Sequence, residues 1–479
     1  MERLTPSDLA MLRAEDAGWR QAIGLIAIIE GQGLLEPDGS IRIDRLREHI
    51  GGRLSRLPRF RQVLRRPGLG LGAPVWVDVA TVDLEHHIRV EPLTGSGDEE
   101  DLLHACETLR RLELDPLRPL WQMWFLTGLN GGRIGLFVKL HHSAADGMAG
   151  IGALAALVDT EPTGSSHSPP DWTPARSPTD LDLLRDNWAG KASRLLTLVR
   201  SLARPRRLLA RFGEQVRVMW QLLAEGPAPQ TSINRVVGPR RRLTVIGGEL
   251  DWYRAVARST GTKVNDVLLA VVGEGLRELL LARGETIDHL VLRVMVPLSL
   301  HDRATTQGNL GAGMLVPVPI DTTPAHRLQL VAAETSARKS RVNPSMGTGL
   351  LRSAPIQMLV FRLMGRQRLS NSYLSNIPGP PVPVFLAGAR ILEMFPVVPI
   401  IGNITVGVGA LSYAGRLDLT VVADFDACPD LDPFRRGVER ALSDLPSHTT
   451  LARVSSQWRR PTTQATSSQE PTTQPIRTM

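Results

Sequence analysis

Cysteine is nearly missing from this chain of 479 residues. The two present, Cys106 and Cys428, stand far apart, and neither has a Cys or His at metal-ligand spacing. That excludes a disulfide scaffold and a zinc module, fits a reducing cytoplasm, and leaves no metal site to expect. Aromatic residues make up only 4%, and no RNA-recognition motif, zinc finger or basic zipper occurs, so nucleic acid is not an expected partner. No run approaches the roughly 20 apolar residues of a bilayer span. The longest candidates, such as Ile23–Ile29, read as buried strands. The start, Met1-Glu2-Arg3-Leu4-Thr5-Pro6, lacks the apolar core of a signal peptide. A G-x-S-x-G nucleophile elbow is missing too. A cytoplasmic location follows as the expectation.

What is present is the balance of a soluble globular protein, 42% hydrophobic and 22% charged. The length suits two domains better than one. Residues 1–159 mix strands and helices. A Pro, Ser and Thr-rich stretch opens with Thr160-Glu161-Pro162-Thr163-Gly164-Ser165-Ser166 and reads as a linker to about Asp180. Leu181–Glu225 reads as helical, and Gly226-Pro227-Ala228-Pro229 breaks it. The linker region is thus 160–229, the second mixed domain 230–453, and 454–479 a disordered tail of Thr, Gln, Ser and Pro. The fold class expected is α/β.

The formal charge is +8, which suits an anionic membrane surface or a phosphate-rich co-substrate, or reflects an arginine-rich surface alone. In Leu181–Glu225, Leu195, Val199 and Leu202 recur at helical spacing, as do Leu209, Phe212, Val216, Met219 and Leu223. Lys191, Arg194, Arg200, Arg204, Arg206, Arg207, Arg211 and Arg217 lie between them, and Pro205 splits the pattern. Such a helix either packs across both domains or lies in a membrane or lipid-droplet interface.

The strongest chemical signal is Leu114–Gly150. Trp121–Leu129 reads as a strand, Asn130-Gly131-Gly132 as a turn that tolerates positive φ, and Arg133–His142 as the return strand. A helix begins near Met148. Alternation puts Ile134, Leu136, Val138, Leu140 and His142 on one face and His141 on the other. Two adjacent residues on opposite faces cannot easily hold one metal. A His in a partly desolvated site is held neutral, because burial penalises its charged form. A neutral imidazole accepts a proton near pH 7, which an alcohol nucleophile needs. General-base help of this kind is worth roughly 10²- to 10⁴-fold. Asp146, before an apolar helical pattern, reads as a cap or a buried partner of an arginine, and Gly147 permits the turn. Ser143 lies beside the base in sequence and makes a poor nucleophile. His86-His87 is followed by no Asp-Gly turn and reads as strand.

His141-His142-Ser143-Ala144-Ala145-Asp146-Gly147 fits HHxxxDG, the signature of CoA-dependent acyltransferases, shared with chloramphenicol acetyltransferase-like enzymes and peptide-synthetase condensation domains. Pro119-Leu120-Trp121 resembles the PLW motif of bacterial wax ester synthase/diacylglycerol acyltransferases. Asn265-Asp266 resembles their ND motif, opening a helix Val267–Leu281, and Ser375-Asn376-Ile377-Pro378-Gly379-Pro380 their SNxPGP segment. Met295-Val296-Pro297-Leu298-Ser299, Gly308-Asn309 and Leu411-Ser412-Tyr413-Ala414-Gly415 add to the likeness, which covers roughly Leu4 to Arg453.

The resemblance implies two chloramphenicol acetyltransferase-like domains, each a mixed sheet flanked by helices, with a channel between them. It implies direct transfer without an acyl-enzyme and without a cofactor, acyl-CoA being a co-substrate. His142 would take the proton from a diacylglycerol or long-chain alcohol. His141, Asp146 and Gly147 would be structural at the site, and Asn265, Asp266, Ser375 and Asn376 would lie by the channel. Asn265 and Asp266 also read as helix caps, and Ser375 and Asn376 as turn residues. Triacylglycerol synthesis is the expected activity, with wax ester synthesis beside it, at the inner membrane face or on lipid droplets. Three other readings stand open: an acyltransferase for another alcohol, a non-catalytic lipid-surface protein on the same fold, and a condensation-type enzyme acting on carrier-bound acyl groups.

Overall fold

The computed structural model describes residues 2–144, 147–163, 172–202, 213, 225–299, 311–339 and 354–445. Its strands in chain order are β1 (Glu2–Arg3), β2 (Ala22–Glu30), β3 (Gln62–Arg65), β4 (Val75–Asp78), β5 (Ile88–Pro92), β6 (Trp121–Leu129), β7 (Arg133–His141), β8 (Arg241–Ile246), β9 (Val291–Ser299), β10 (Gly311–Pro319), β11 (Ser372–Pro378), β12 (Phe385–Leu386), β13 (Ala389–Val397), β14 (Val406–Tyr413) and β15 (Arg416–Asp424). They form two six-stranded mixed sheets, ordered β12-β13-β2-β7-β6-β5 and β10-β9-β11-β14-β15-β8, and a small sheet β1-β4-β3.

The central strands of the first sheet are apolar on both faces because both are covered, whereas the edge strand β5 exposes Arg89 and Glu91. In β2, Ala27 and Ile29 join one core with helices Ile43–Arg53 and Gly147–Leu157. Ile26 and Ile28 join another with helix Glu99–Arg111 and with Leu243, Val245 and Val422 of the second sheet. The two sheets therefore share a core. The outer face of the second sheet is closed by helices Leu250–Thr260, Val264–Leu281, Pro324–Lys339 and Asp432–Asp444. Helix Val264–Leu281 is buried almost all round, and the deep charge at its middle, Glu274, meets the fully buried Arg327 at 2.7 Å.

Strand β13, from the far half of the chain, pairs antiparallel with β2 (Phe395↔Ile26, Val397↔Gly24). It satisfies the backbone groups that β2 would otherwise present as an open edge. The β6–β7 hairpin turns at Asn130-Gly131-Gly132, where Gly131 and Gly132 have φ of 77° and 62°. A second tight turn, Ala414 (φ 45°) and Gly415 (φ 87°), joins β14 to β15.

Two local expectations are corrected, and a third is met where it can be seen. His86 and His87 close a helical turn, Leu84–His87, rather than a strand, because the Asp83 side chain caps it by accepting from the His86 N–H. The helix expected from Val267 begins at Val264, so Asn265 and Asp266 sit inside its first turn. The basic segment expected over Leu181–Glu225 is helix Asp180–Leu202 where it is described; residues 203–212 and 214–224 lie outside the described residues.

Candidate active site

The His pair stands where β7 ends. Its backbone is tied on both sides: the His141 N–H donates to the Leu120 carbonyl at 3.0 Å and the His142 N–H to the Gln21 carbonyl at 2.8 Å. The Pro-Leu-Trp segment is thus a backbone anchor for the motif. Trp121 adds support, its Nε1–H donating to Phe60 O at 2.9 Å and its ring stacking on His87 at 4.3 Å.

Alternation along β7 continues into the turn. Val138, Leu140 and His142 line one cavity, while Lys139 and His141 point to the opposite side. Lys139 donates to the carbonyls of Leu109 and Leu112 at the end of helix Glu99–Arg111. Burial, with Arg110 and Arg20 nearby, pushes its pKa down to about 8.

His141 is 4% exposed and clamped at both nitrogens. The Ser143 N–H donates to Nδ1 at 3.1 Å, and the Ser143 hydroxyl lies 2.6 Å from the same atom. An Nδ1 that accepts carries no proton, so the proton sits on Nε2 and is donated to Glu15 Oε2 at 2.8 Å. Burial raises the Glu15 carboxyl, but the hydrogen bond from His141, with the charges of Arg66 and Arg20, brings it below the usual value. Asp8 lies one face-repeat earlier on the same helix, Pro6–Asp16. Burial raises its pKa against the lowering effects of Thr5, Arg59 and His142. The Asp8 carboxyl is therefore in electrostatic range of the His142 imidazole. Neither acid was legible as a site residue; the only trace was two carboxylates spaced i, i+7 on one helix.

The cavity lies between the two sheets, with about 770 Å³ of empty space counted out to its open mouth. From one sheet come Ile23, Gly24, Leu140 and His142, and from the other Tyr373, Ser375, Ile377 and Leu411. Helix Gly147–Leu157 closes one wall with Gly150, Leu154 and Leu157, spaced i, i+4, i+7 on one face.

Alternation also sorts the SNxPGP segment. Tyr373, Ser375 and Ile377 face the cavity, whereas Leu374 packs into the core under helix Val264–Leu281. Ser375 hydrogen-bonds Tyr373, whose own pKa is raised by burial in spite of that bond. Asn376 donates through Nδ2 to Asn265 Oδ1 at 2.7 Å, joining β11 to the helix. Asp266 is 4% exposed and accepts from the Lys263 N–H at 2.9 Å and the Thr335 hydroxyl at 2.7 Å. Of these four residues, only Ser375 belongs to the described cavity wall. Asp146 lies outside the described residues, and Gly147 opens the helix that follows.

One imidazole just past the end of a strand, one hydroxyl on the wall of an apolar cavity and one carboxylate in electrostatic range of the imidazole form an arrangement that can take a proton from a hydroxyl.

Residues 4–268 match the family model of the wax ester synthase/diacylglycerol acyltransferase catalytic domain, and residues 307–446 that of the WS/DGAT C-terminal domain. The Mycobacterium tuberculosis protein named probable diacylglycerol O-acyltransferase tgs1 is 30% identical over 458 residues, 93% of this chain and 96% of that one. The wax ester synthase/diacylglycerol acyltransferase from Marinobacter aquaeolei VT8 has a similar fold, with a TM-score of 0.66 over 92% of this chain and 98% of that one, at 23% identity. The first condensation domain of the CDA synthetase is similar at a TM-score of 0.57 and 15% identity, over 93% of this chain and 96% of that one. With its paired sheets, its His142 cavity and matches along both halves, this chain belongs to the wax ester synthase/diacylglycerol acyltransferase family.

Proposed function

We propose that the chain is a long-chain acyl-CoA:diacylglycerol O-acyltransferase that makes triacylglycerol, serves long-chain alcohols by the same chemistry, and uses His142 as general base. The observation that carries this is the position of His142: it directly follows β7 and lines a cavity walled by both sheets, to which the other sheet contributes Ser375. The acceptor hydroxyl gives its proton to the imidazole as its oxygen attacks the thioester carbonyl. The tetrahedral intermediate collapses, the C–S bond breaks, and the imidazolium returns the proton to the departing CoA thiolate. Asp8 favours the imidazolium through its charge, and the Ser375 hydroxyl on the cavity wall serves as the donor to the developing oxyanion. No cofactor is needed, since both bonds change within the two substrates.

Peripheral contact with a lipid surface, at the inner membrane face or a droplet, is part of this reading. Among the described residues no helix is long and apolar enough to cross a membrane. Helix Asp180–Leu202 exposes Leu181, Leu184, Trp188 and Leu195 on one stripe, which supports interfacial contact. The test of the catalytic reading is thiol release from palmitoyl-CoA with diacylglycerol or hexadecanol. His142→Ala should lose at least a hundredfold in kcat with an unchanged circular dichroism spectrum. Undiminished turnover in that folded variant would remove the base assignment.

A further inference from the structure

A second surface carries the features of a lipid-binding face. Helix Ala354–Leu363 runs on through Met364–Arg366 to the start of β11 and exposes Leu359, Val360, Leu363 and Leu369, between 38% and 57%. It meets the segment after Gly226: a Cβ placed on Gly365 would lie 3.4 Å from Val236, itself 61% exposed. The two segments bring five exposed arginines, Arg235, Arg240, Arg362, Arg366 and Arg368, and the stretches 226–242 and 354–371 contain no Asp or Glu. Arg240 is paired with Asp426, whereas among the described residues the other four make no ion pair; Arg368 gives one N–H to the Ala228 carbonyl. The helix behind this face, Pro6–Asp16, ends in Glu15 and Asp16, already paired with His141 and Arg66.

Between the same two segments lies a polar pocket of about 500 Å³, whose walls include Gln230, Asn234, Arg366, Arg368 and Asn371. We propose that this face docks on an anionic phospholipid bilayer, with the leucines and Val236 in the acyl boundary, the arginines among the phosphates, and the pocket seating one headgroup. An apolar patch flanked by cations fits that occupant; the nearby carboxylates of Glu285 and Asp426 are engaged by the Ser232 N–H and by Arg240. A second copy of the chain is a poor fit, because a two-fold contact would set arginines against arginines. Strand β11 runs from the pocket at Asn371 to the cavity wall at Ser375, roughly 13 Å at about 3.3 Å per residue. A docked enzyme would hold its reaction centre within reach of an alcohol dissolved in the membrane, so the inference rests on the acceptor reading above.

The experiment is co-flotation of the full-length protein with vesicles of phosphatidylcholine alone or with 30% phosphatidylglycerol. Arg362→Ala with Arg366→Ala should weaken partition to the anionic vesicles by about 25-fold, fivefold per cation. Leu359→Asp with Leu363→Asp should abolish partition. Both double variants should keep wild-type turnover of butyryl-CoA with hexanol, which needs no membrane, while turnover of vesicle-borne diacylglycerol falls at least tenfold. Unchanged flotation in both variants overturns the proposal. So does an effect equal on both vesicle types for the arginine pair, or a dimer of the native protein that these changes dissociate. Absence of thiol release by the native protein with any acceptor would instead defeat the acyltransferase reading and leave the flotation result standing.

Discussion

Removing Glu15 tests the idea that the first histidine positions the second. In Glu15→Ala, the His141 Nε2–H loses its acceptor while Ser143 still holds Nδ1. A hydrogen bond to a charged group is worth about 1.5–3 kcal/mol. The Glu15 side chain is 42% exposed, so solvent screening brings the expected loss of stability to about 1 kcal/mol. The catalytic loss should be larger, since a shift of about 1 Å in a reacting group costs on the order of 10² in rate. We expect kcat to fall 10- to 100-fold with KM for palmitoyl-CoA changed less than about threefold. Glu15→Gln keeps an acceptor at the same place without the charge and should recover most of the rate. The sign with pH follows from the lowered Glu15 pKa: its contribution is present above the ordinary carboxyl value and is lost as pH falls through the folded value. The native protein should therefore lose more stability than Glu15→Ala at the acid end. Steady-state kinetics and thermal melts check both. A folded Glu15→Ala with native kcat would refute the positioning argument.

Ser375→Ala should cost roughly 100- to 1000-fold in kcat with little change in KM, the range for losing one oxyanion donor; Asn376→Ala should instead lower Tm by breaking its bond to Asn265, with kcat per folded molecule kept. Gly150→Leu should fill the cavity, since a Cβ there meets nothing nearer than 4.0 Å, so the helix tolerates it while long-chain turnover falls and butyryl-CoA turnover persists. His87 is 1% exposed with its pKa lowered to about 4 by burial, so it is neutral in the fold. Its stabilising neutrality is complete above about pH 6.5 and is lost as pH falls toward 4, a change of about 3 kcal/mol that melts at successive pH values should show and that His87→Phe should flatten. Glu274→Ala leaves Arg327 buried without its partner and should destabilise by about 3–5 kcal/mol, measured by urea unfolding.

The hairpin that carries the His pair was legible because its signals are local. A period of two, closed by Asn130-Gly131-Gly132, fixes which side chains share a face, and His142 falls with Leu140 and Val138. The same rule separates Ser375 from Asn376, but which face meets the cavity depends on what covers the sheet, and that is set by helix Val264–Leu281. The pairing of β13 with β2 could not be read, because an apolar strand pattern does not name its neighbour. Glu15 and Asp8 were hidden for a related reason: nothing local tells a helix's surface acids that they end beside an imidazole. His86 and His87 misled because the Asp83 cap outweighs a short strand-like pattern.

The placement of β13 has a consequence for how substrates get in. The chain's second half contributes an interior ribbon to the first half's sheet and leaves it at Pro396–Pro399, on the cavity wall itself. The halves are stitched, so they cannot part like the shells of a mussel without breaking a ladder of backbone bonds. Expressed as two fragments cut between them, neither should fold. Passage of a long acyl chain must come from give in the helix and loops around the mouth.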